Sequence, residues 1–588
     1  MGQIKKSIDL EKIYGLSLKL SKQDREDLGM RIPVNIFVQD PFIAQRYKQK
    51  KKFGIEPIKL DWEPSWGNGP TSSRVAVVDY NMDTDILASP VKWDRKKKKF
   101  IGTTDPNSFR FHNVNVWAII HNIIAFFEDP YVMGRPIPWG FNGNRLIVVP
   151  HAGEKKNAFY SRRGKCLLFY YFFSGGVPVY TCLSHDIVAH ETGHAILDGI
   201  RPHYFHFSSA QSSGFHEFIA DLTAILSALR TTSVRHAVAD ILEKADGQLW
   251  EAQVISRLGE EFAVKGSEET YESVDRNYIR NAYNDKTMDQ IKNCWIPHDC
   301  SEVLTGALFQ ILAEIIIYRI EKENESAKAA LWRATQHLNR LAFRALDYCP
   351  SVDIQFEDYV QALIRANEIA YPVDTHGYLE IIKEIFKKRG IEKIDPDPPP
   401  KAVSFTWKYD LESIASSHTA AYHFLDDNRE ILDIPLNQDF EIADIYYTNK
   451  VKGAYERLPR EIILEYIWNE AITLRGNDFG EFQNKKVPLR CGGTLVFEER
   501  GNLLYWSRKA GTKPKRVRKI GNERIKKLLH YIKLLIAADK IRLVPAEALQ
   551  HINPYQPAIE AIQDGGMLQL EITPEFLNPT KGLVKSNE

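Results

Sequence analysis

His190 and His194 stand four residues apart in the stretch DIVAHETGHAILDGI. On a helix that spacing stacks both imidazoles on one face, one turn apart. Two imidazoles so placed can reach one cation with their outer nitrogens. Glu191 follows the first histidine, so its carboxylate sits beside the cation rather than on it. There it can take a proton from a water that the cation acidifies. The pentapeptide alone leaves an alternative, two structural histidines on a buried helix. The next apolar segment, GFHEFIADLTAILSAL (214–229), argues against that alternative. Its Glu217 can supply an anionic oxygen as third ligand. Asp221, one turn further on the same face, can accept the outer N–H of a ligating histidine and fix its tautomer. Three protein ligands and an open fourth position define a catalytic zinc site, so the expected cofactor is one Zn2+.

These residues need elements to hold them. A helix starting near Ser184 or Asp186, buried through Ile187, Val188, Ala195 and Ile196, would carry the histidines. Upstream, NVNVWAIIHNIIAFFEDP (113–130) has apolar residues at helical spacing and ends at a proline. RLIVVPHA (145–152) and KCLLFYYFF (165–173) read as strands. A helix-rich stretch runs from 184 to about 390, with SEVLTGALFQILAEIIIYRI (301–320) its most strongly buried helix. The run Asp395-Pro396-Asp397-Pro398-Pro399-Pro400 cannot be a helix interior or a central strand, and reads as a linker. Beyond it, EIILEYIWNEAI (461–472) reads as a helix, GGTLVFEERGNLLYWSRKAG (492–511) as a hairpin, and NERIKKLLHYIKLLIAADKI (522–541) as an amphipathic helix.

The expected organisation is therefore a mixed N-terminal region (1–105), a catalytic domain (106–390), a proline-rich linker (391–403) and an α+β C-terminal accessory domain (404–588). Within the catalytic domain a β-rich lobe (106–183) precedes a helical lobe (184–390). The chain has 588 residues and a formal net charge of +1, so global charge selects no partner class. Its six cysteines show no C-x-x-C spacing, which argues against a disulfide framework and a cysteine-ligated zinc. The N-terminal segment lacks the continuous apolar stretch of a secretory signal, and no stretch reads as a membrane span. A cytoplasmic location is expected. The run Lys513-Pro514-Lys515-Arg516-Val517-Arg518-Lys519, near Tyr505 and Trp506, makes 404–588 a candidate surface for a protein partner or, secondarily, nucleic acid.

HETGH followed by the GFHEFIAD helix resembles the thermolysin-like (gluzincin) zinc metallopeptidase family, whose HExxH precedes an N-E-x-x-S-D helix. The resemblance covers roughly 110–375. It implies a two-lobed α+β catalytic domain with the active-site helix between the lobes. It makes His190, His194 and Glu217 zinc ligands, Glu191 the general base, and Asp221 the partner of a ligating histidine. KNAFYSRRGKCLLFY (156–170) resembles the family's N-A-F edge strand, so Asn157 and Ala158 would line the cleft. Ile187 would line the pocket after the cleaved bond. PHDCSEVLTGALFQIL (297–312) would place His298 on the oxyanion. Arg280, or alternatively Arg276, would bind a substrate carbonyl, and Tyr204 would be a second oxyanion donor.

The sequence also departs from the family. Asn293 stands where an aspartate five residues before the oxyanion histidine is expected. Asp186 matches a calcium ligand, but its partner's position holds Ala228, so no paired calcium site is expected. Gly199 and His203 fall out of the register that metzincins use for a third histidine. The reading is a zinc-dependent endopeptidase, intracellular and selective, acting on a peptide or protein substrate. The alternative is a zinc-binding pseudo-peptidase or peptide-recognition module.

Overall fold

A computed structural model describes residues 29–48, 54–206, 208–244, 253–258, 280–396, 410–451, 458–544, 559–564 and 566–572. They form a mixed α+β architecture. Strands β1 (Val75–Val77), β2 (Leu146–Val149), β3 (Ala158–Ser161) and β4 (Cys166–Phe169) make one sheet in the order β1-β2-β4-β3. β1, β2 and β4 run parallel, and β3 pairs antiparallel to β4 on the outer edge. Two strands buried on both faces explain the unbroken apolar runs LIVV and CLLF.

Four helices complete the site's frame. Helix α1 (Phe109–Glu128) starts where the Ser108 side chain accepts the Phe111 N–H, and it ends before Asp129-Pro130. Helix α2 (His185–Ile200) is buried at every residue, so it is a central pillar rather than an amphipathic surface helix. Helix α3 (Ala210–Ala228) is capped by Ser209. Helix α4 (Pro297–Glu321) opens on a proline, whose missing N–H costs nothing there. Length and composition would let α4 cross a membrane, but 72% of its most apolar window is buried inside the chain, as in a core helix.

The C-terminal part holds a second sheet. Strands β5 (Glu441–Thr448), β6 (Glu461–Thr473), β7 (Lys486–Glu498) and β8 (Leu503–Lys509) pair antiparallel in that order, followed by helix α5 (Arg518–Ala537). The expected hairpin and the expected last helix lie here. The expected helix at 461–472 does not form; that segment is β6. Both faces of β6 are covered, so its sequence lacks the apolar–polar alternation of a half-exposed strand. Ile462, Leu464, Tyr466 and Trp468 enter a C-terminal core, while Ile463 enters the core shared with the N-terminal part. Glu461 and Glu465 lie on the Ile463 face, and their four-residue spacing imitates helical periodicity. Residues 397–403 of the expected linker lie outside the described residues. The basic run at 513–519 is partly neutralised, since Arg516 Nε lies 2.6 Å from Asp433 Oδ1.

A buried ionic network joins the two parts. Asp347 meets Arg135 at 3.0 Å and Lys450 at 2.8 Å, and Lys450 also meets Glu461 at 3.0 Å. Arg201, at the end of α2, pairs with Glu465 of β6 and with the Leu346 carbonyl. Burial alone would raise the Asp347 pKa, but Lys450 and Arg135 outweigh it and hold it at about 2. A depressed carboxylate stabilises the fold above its ordinary pKa of about 4 and ceases to do so as the pH falls through its folded value. Asp347→Asn is expected to lower the unfolding free energy at pH 7 by about 3–5 kcal/mol. In denaturant titrations the gap from wild type should shrink between about pH 4 and 2. A gap constant across that range would refute the network's role.

Candidate metal centre

Helices α2 and α3 cross at Gly193. A Cβ there would lie 2.9 Å from the Ala220 Cα and 3.1 Å from Thr223 Oγ1, so only glycine allows this approach. The crossing turns His190 and His194 of α2 toward Glu217 and Asp221 of α3. His190 Nε2 lies 3.1 Å from His194 Nε2 and 3.2 Å from Glu217 Oε2. His194 Nε2 lies 3.7 Å from Glu217 Oε1. Two donors held at 2.0–2.2 Å by one tetrahedral zinc stand about 3.3 Å apart, so the three side chains converge at the separation such an ion imposes.

Protonation points the same way. His190 Nδ1 donates to Asp221 Oδ1 at 2.9 Å, so Nε2 is the ring nitrogen that faces the centre. Burial pushes the His194 pKa well below its ordinary value, keeping the imidazole neutral. Burial would raise Glu217, but the neighbouring His298 outweighs it and holds the carboxyl well below the usual range. Neutral imidazoles and an ionised carboxylate are the forms that bind a metal. The residues present therefore fit a zinc ion.

Glu191 has its own position. It belongs to the same group of side chains, with a carboxylate oxygen within 4.8 Å of both imidazoles. Its Oε2 accepts the backbone N–H of Tyr160 at 3.0 Å. That donor comes from the edge strand β3, so the strand fixes this carboxylate oxygen beside the two imidazoles. Asp198, one turn after His194, accepts the Tyr160 hydroxyl at 2.7 Å and Arg162 Nε at 2.8 Å, which ties the strand to α2.

The other expected residues are placed unevenly. His298, in the first turn of α4, meets Glu217 Oε2 through Nδ1 at 2.8 Å. Its orienting carboxylate is thus Glu217, not an aspartate five residues upstream. Asn157 and Ala158 lie at the start of the edge strand, both buried, and Asn157 Oδ1 has no hydrogen-bond partner among the described residues. Ile187 is buried in the first turn of α2 as part of the main core. Arg280 sits in a two-residue strand paired with Arg257–Leu258; its side chain and Arg276 lie outside the described residues. Tyr204 is a correction. Its hydroxyl donates to the Pro350 carbonyl at 2.6 Å and its ring packs on Phe215, so the group is committed to the fold rather than offered to an oxyanion.

Sequence reasoning missed the Tyr160 N–H, since a backbone donor carries no side-chain signature. It also missed Asp198, although the step of four from His194 was a usable signal. No family model and no curated protein sequence matches the chain. Among solved structures, the precursor of protealysin, a metalloproteinase from Serratia proteamaculans, is similar over 60% of this chain and 98% of that chain. The identity is 12% and the TM-score 0.37, a likeness too slight to define the fold.

Asp221→Asn keeps the side-chain shape but weakens the anchor on His190 Nδ1. Zinc affinity, measured by competition with a chromophoric chelator, is expected to fall about 10- to 100-fold. Unchanged affinity would separate Asp221 from the metal centre.

Proposed function

We propose that the chain is a zinc-dependent endopeptidase of the thermolysin-like kind. The observation that carries this reading is the convergence of His190 Nε2, His194 Nε2 and the Glu217 oxygens, at 3.1–3.7 Å, with Glu191 beside them on the Tyr160 N–H. His190, His194 and Glu217 would hold the ion; when bound, zinc supplies Lewis acidity that acidifies water and polarises a carbonyl. Glu191 accepts the proton of the attacking water and delivers it to the leaving amine nitrogen. The Tyr160 N–H fixes the carboxylate for both transfers. Asp221 keeps His190 in the tautomer that offers Nε2 inward.

Substrate handling belongs to the same proposal. An extended peptide would add to the edge of β3 near Asn157 and Ala158. His298 would stabilise the oxyanion once it leaves Glu217, Ile187 would shape the pocket after the cleaved bond, and Arg280 would bind a substrate carbonyl. The β-rich segment 106–183 and the helical segment 184–390 would form two lobes around α2. The proposed site of action is the cytoplasm, with residues 404–588 recruiting a protein partner.

Burial supports a selective enzyme. His190, Glu191 and His194 have no exposed surface, so a substrate reaches Glu191 only by displacing what covers it. The same burial favours a second reading, a metal held without turnover. Glu191→Gln decides between them. The endopeptidase reading expects zinc content to stay at the wild-type level and peptide cleavage, read by proteomic comparison of termini, to fall by at least about 1,000-fold. Equal cleavage by both proteins would sink the assignment of the base, and no cleavage by wild type would favour the second reading.

A further inference from the structure

Three more metal-ligating side chains meet at the entrance to α2. His112 lies in the first turn of α1, His151 follows β2, and Cys182 lies in the single turn Thr181–Leu183 that leads into α2. All three are buried, and their donor atoms lie within 4.8 Å of one another.

Their hydrogen bonds fix where the protons are. His112 Nε2 lies 3.1 Å from the Pro106 carbonyl oxygen, which can only accept, so Nε2 carries the proton. His151 Nδ1 lies 2.8 Å from Asp79 Oδ1 and donates to it, while Asp79 Oδ2 accepts from Asn113 at 3.3 Å. A neutral imidazole has one N–H. With both imidazoles neutral, the two remaining nitrogens, His112 Nδ1 and His151 Nε2, face each other as lone pairs, 2.9 Å apart. Lone pairs at that distance repel unless an electrophile lies with them. A proton shared between them would serve, with Asp79 as its counter-charge, and so would a metal cation, which would also engage the adjacent thiol.

We propose that His112 Nδ1, His151 Nε2 and Cys182 Sγ hold a second metal ion of the borderline-to-soft class, zinc foremost. Two imidazoles and a thiolate suit such an ion, and both imidazoles already have the outer acceptor that ligating histidines use. Binding breaks the Cys182 S–H bond and releases its proton to solvent; the thiolate and the Asp79 carboxylate balance the two positive charges. Nitrogens on one tetrahedral zinc stand about 3.3 Å apart, so the imidazoles part by a few tenths of an ångström. Phe109 stacks on His151 at 4.2 Å and Tyr180 leans on His112 at 4.7 Å, walling the cluster with rings. The Cys182 carbonyl accepts from Asn115 at 3.0 Å, which fixes the turn. The site would be structural. It would clamp α1 and the end of β2 to the turn that leads into α2, where Cys182 lies eight residues before His190.

The first centre contains no sulfur, so the two sites are spectroscopically separable. Full-length protein loaded with zinc should contain two ions per chain, and X-ray absorption at the zinc edge should show a sulfur shell at about 2.3 Å. Cobalt-loaded protein should show thiolate-to-cobalt charge transfer. Cys182→Ser should abolish that band and leave the ligand-field absorption of the His190 centre. The wild-type spectra need no variant to fold. A sulfur shell without peptide cleavage would keep this site and fail only the peptidase reading. Nitrogen and oxygen ligands alone, with no charge transfer, would overturn the proposal and leave a shared proton between the histidines.

Discussion

The metal centre depends on how closely two helices approach. At Gly193 the α2 backbone meets α3 with no room for a side chain, since an added Cβ would stand 2.9 Å from the Ala220 Cα. His190 and His194 bracket that contact on one helix, and Glu217 and Asp221 bracket it on the other. The four side chains converge because the backbones do. A second tight contact extends the pattern. A Cβ at Gly214 of α3 would lie 2.7 Å from Cys300 of α4, and that packing sets His298 beside Glu217. Large side chains at either glycine would hold the helices apart by more than a metal–ligand bond tolerates.

Helix α2 is held at both ends as well as at its middle. At its start Ser184 donates to Asp40 at 2.8 Å. At its end Arg201 binds the Leu346 carbonyl and Glu465 of the C-terminal sheet. Along its side Asp198 grips the edge strand through Tyr160 and Arg162. The C-terminal sheet is thus part of the frame that positions the histidines. A site that must hold ligand atoms within a few tenths of an ångström gains from such redundancy, because each fastening limits a different motion of the helix.

Much of the centre was legible in the sequence because helical spacing is short-range information. HETGH places its histidines by periodicity alone, and Glu217 with Asp221 repeats the argument on the next helix. The edge strand was legible as KNAFY, but its contact with Glu191 was not, since a main-chain N–H is the same in every residue. Tyr204 was misread because only tertiary structure shows that its hydroxyl is spent on Pro350. Residues 461–472 form a strand instead of the expected helix for a related reason. A strand with two buried faces loses the alternation that identifies strands, and its paired glutamates then suggest a helix. The cluster of His112, His151 and Cys182 gave no signal at all, because its members are separated by 39 and 31 residues.

In the proposed centre His190, His194 and Glu217 bind one metal while Glu191 stands outside its coordination. Crystals of the full chain, measured with X-rays above and below the zinc absorption edge, test this without reference to any substrate. An anomalous peak is expected between the two imidazole Nε2 atoms and the Glu217 carboxylate, with Glu191 still on the Tyr160 N–H. No peak at that position, or a peak bonded to Glu191, would contradict it.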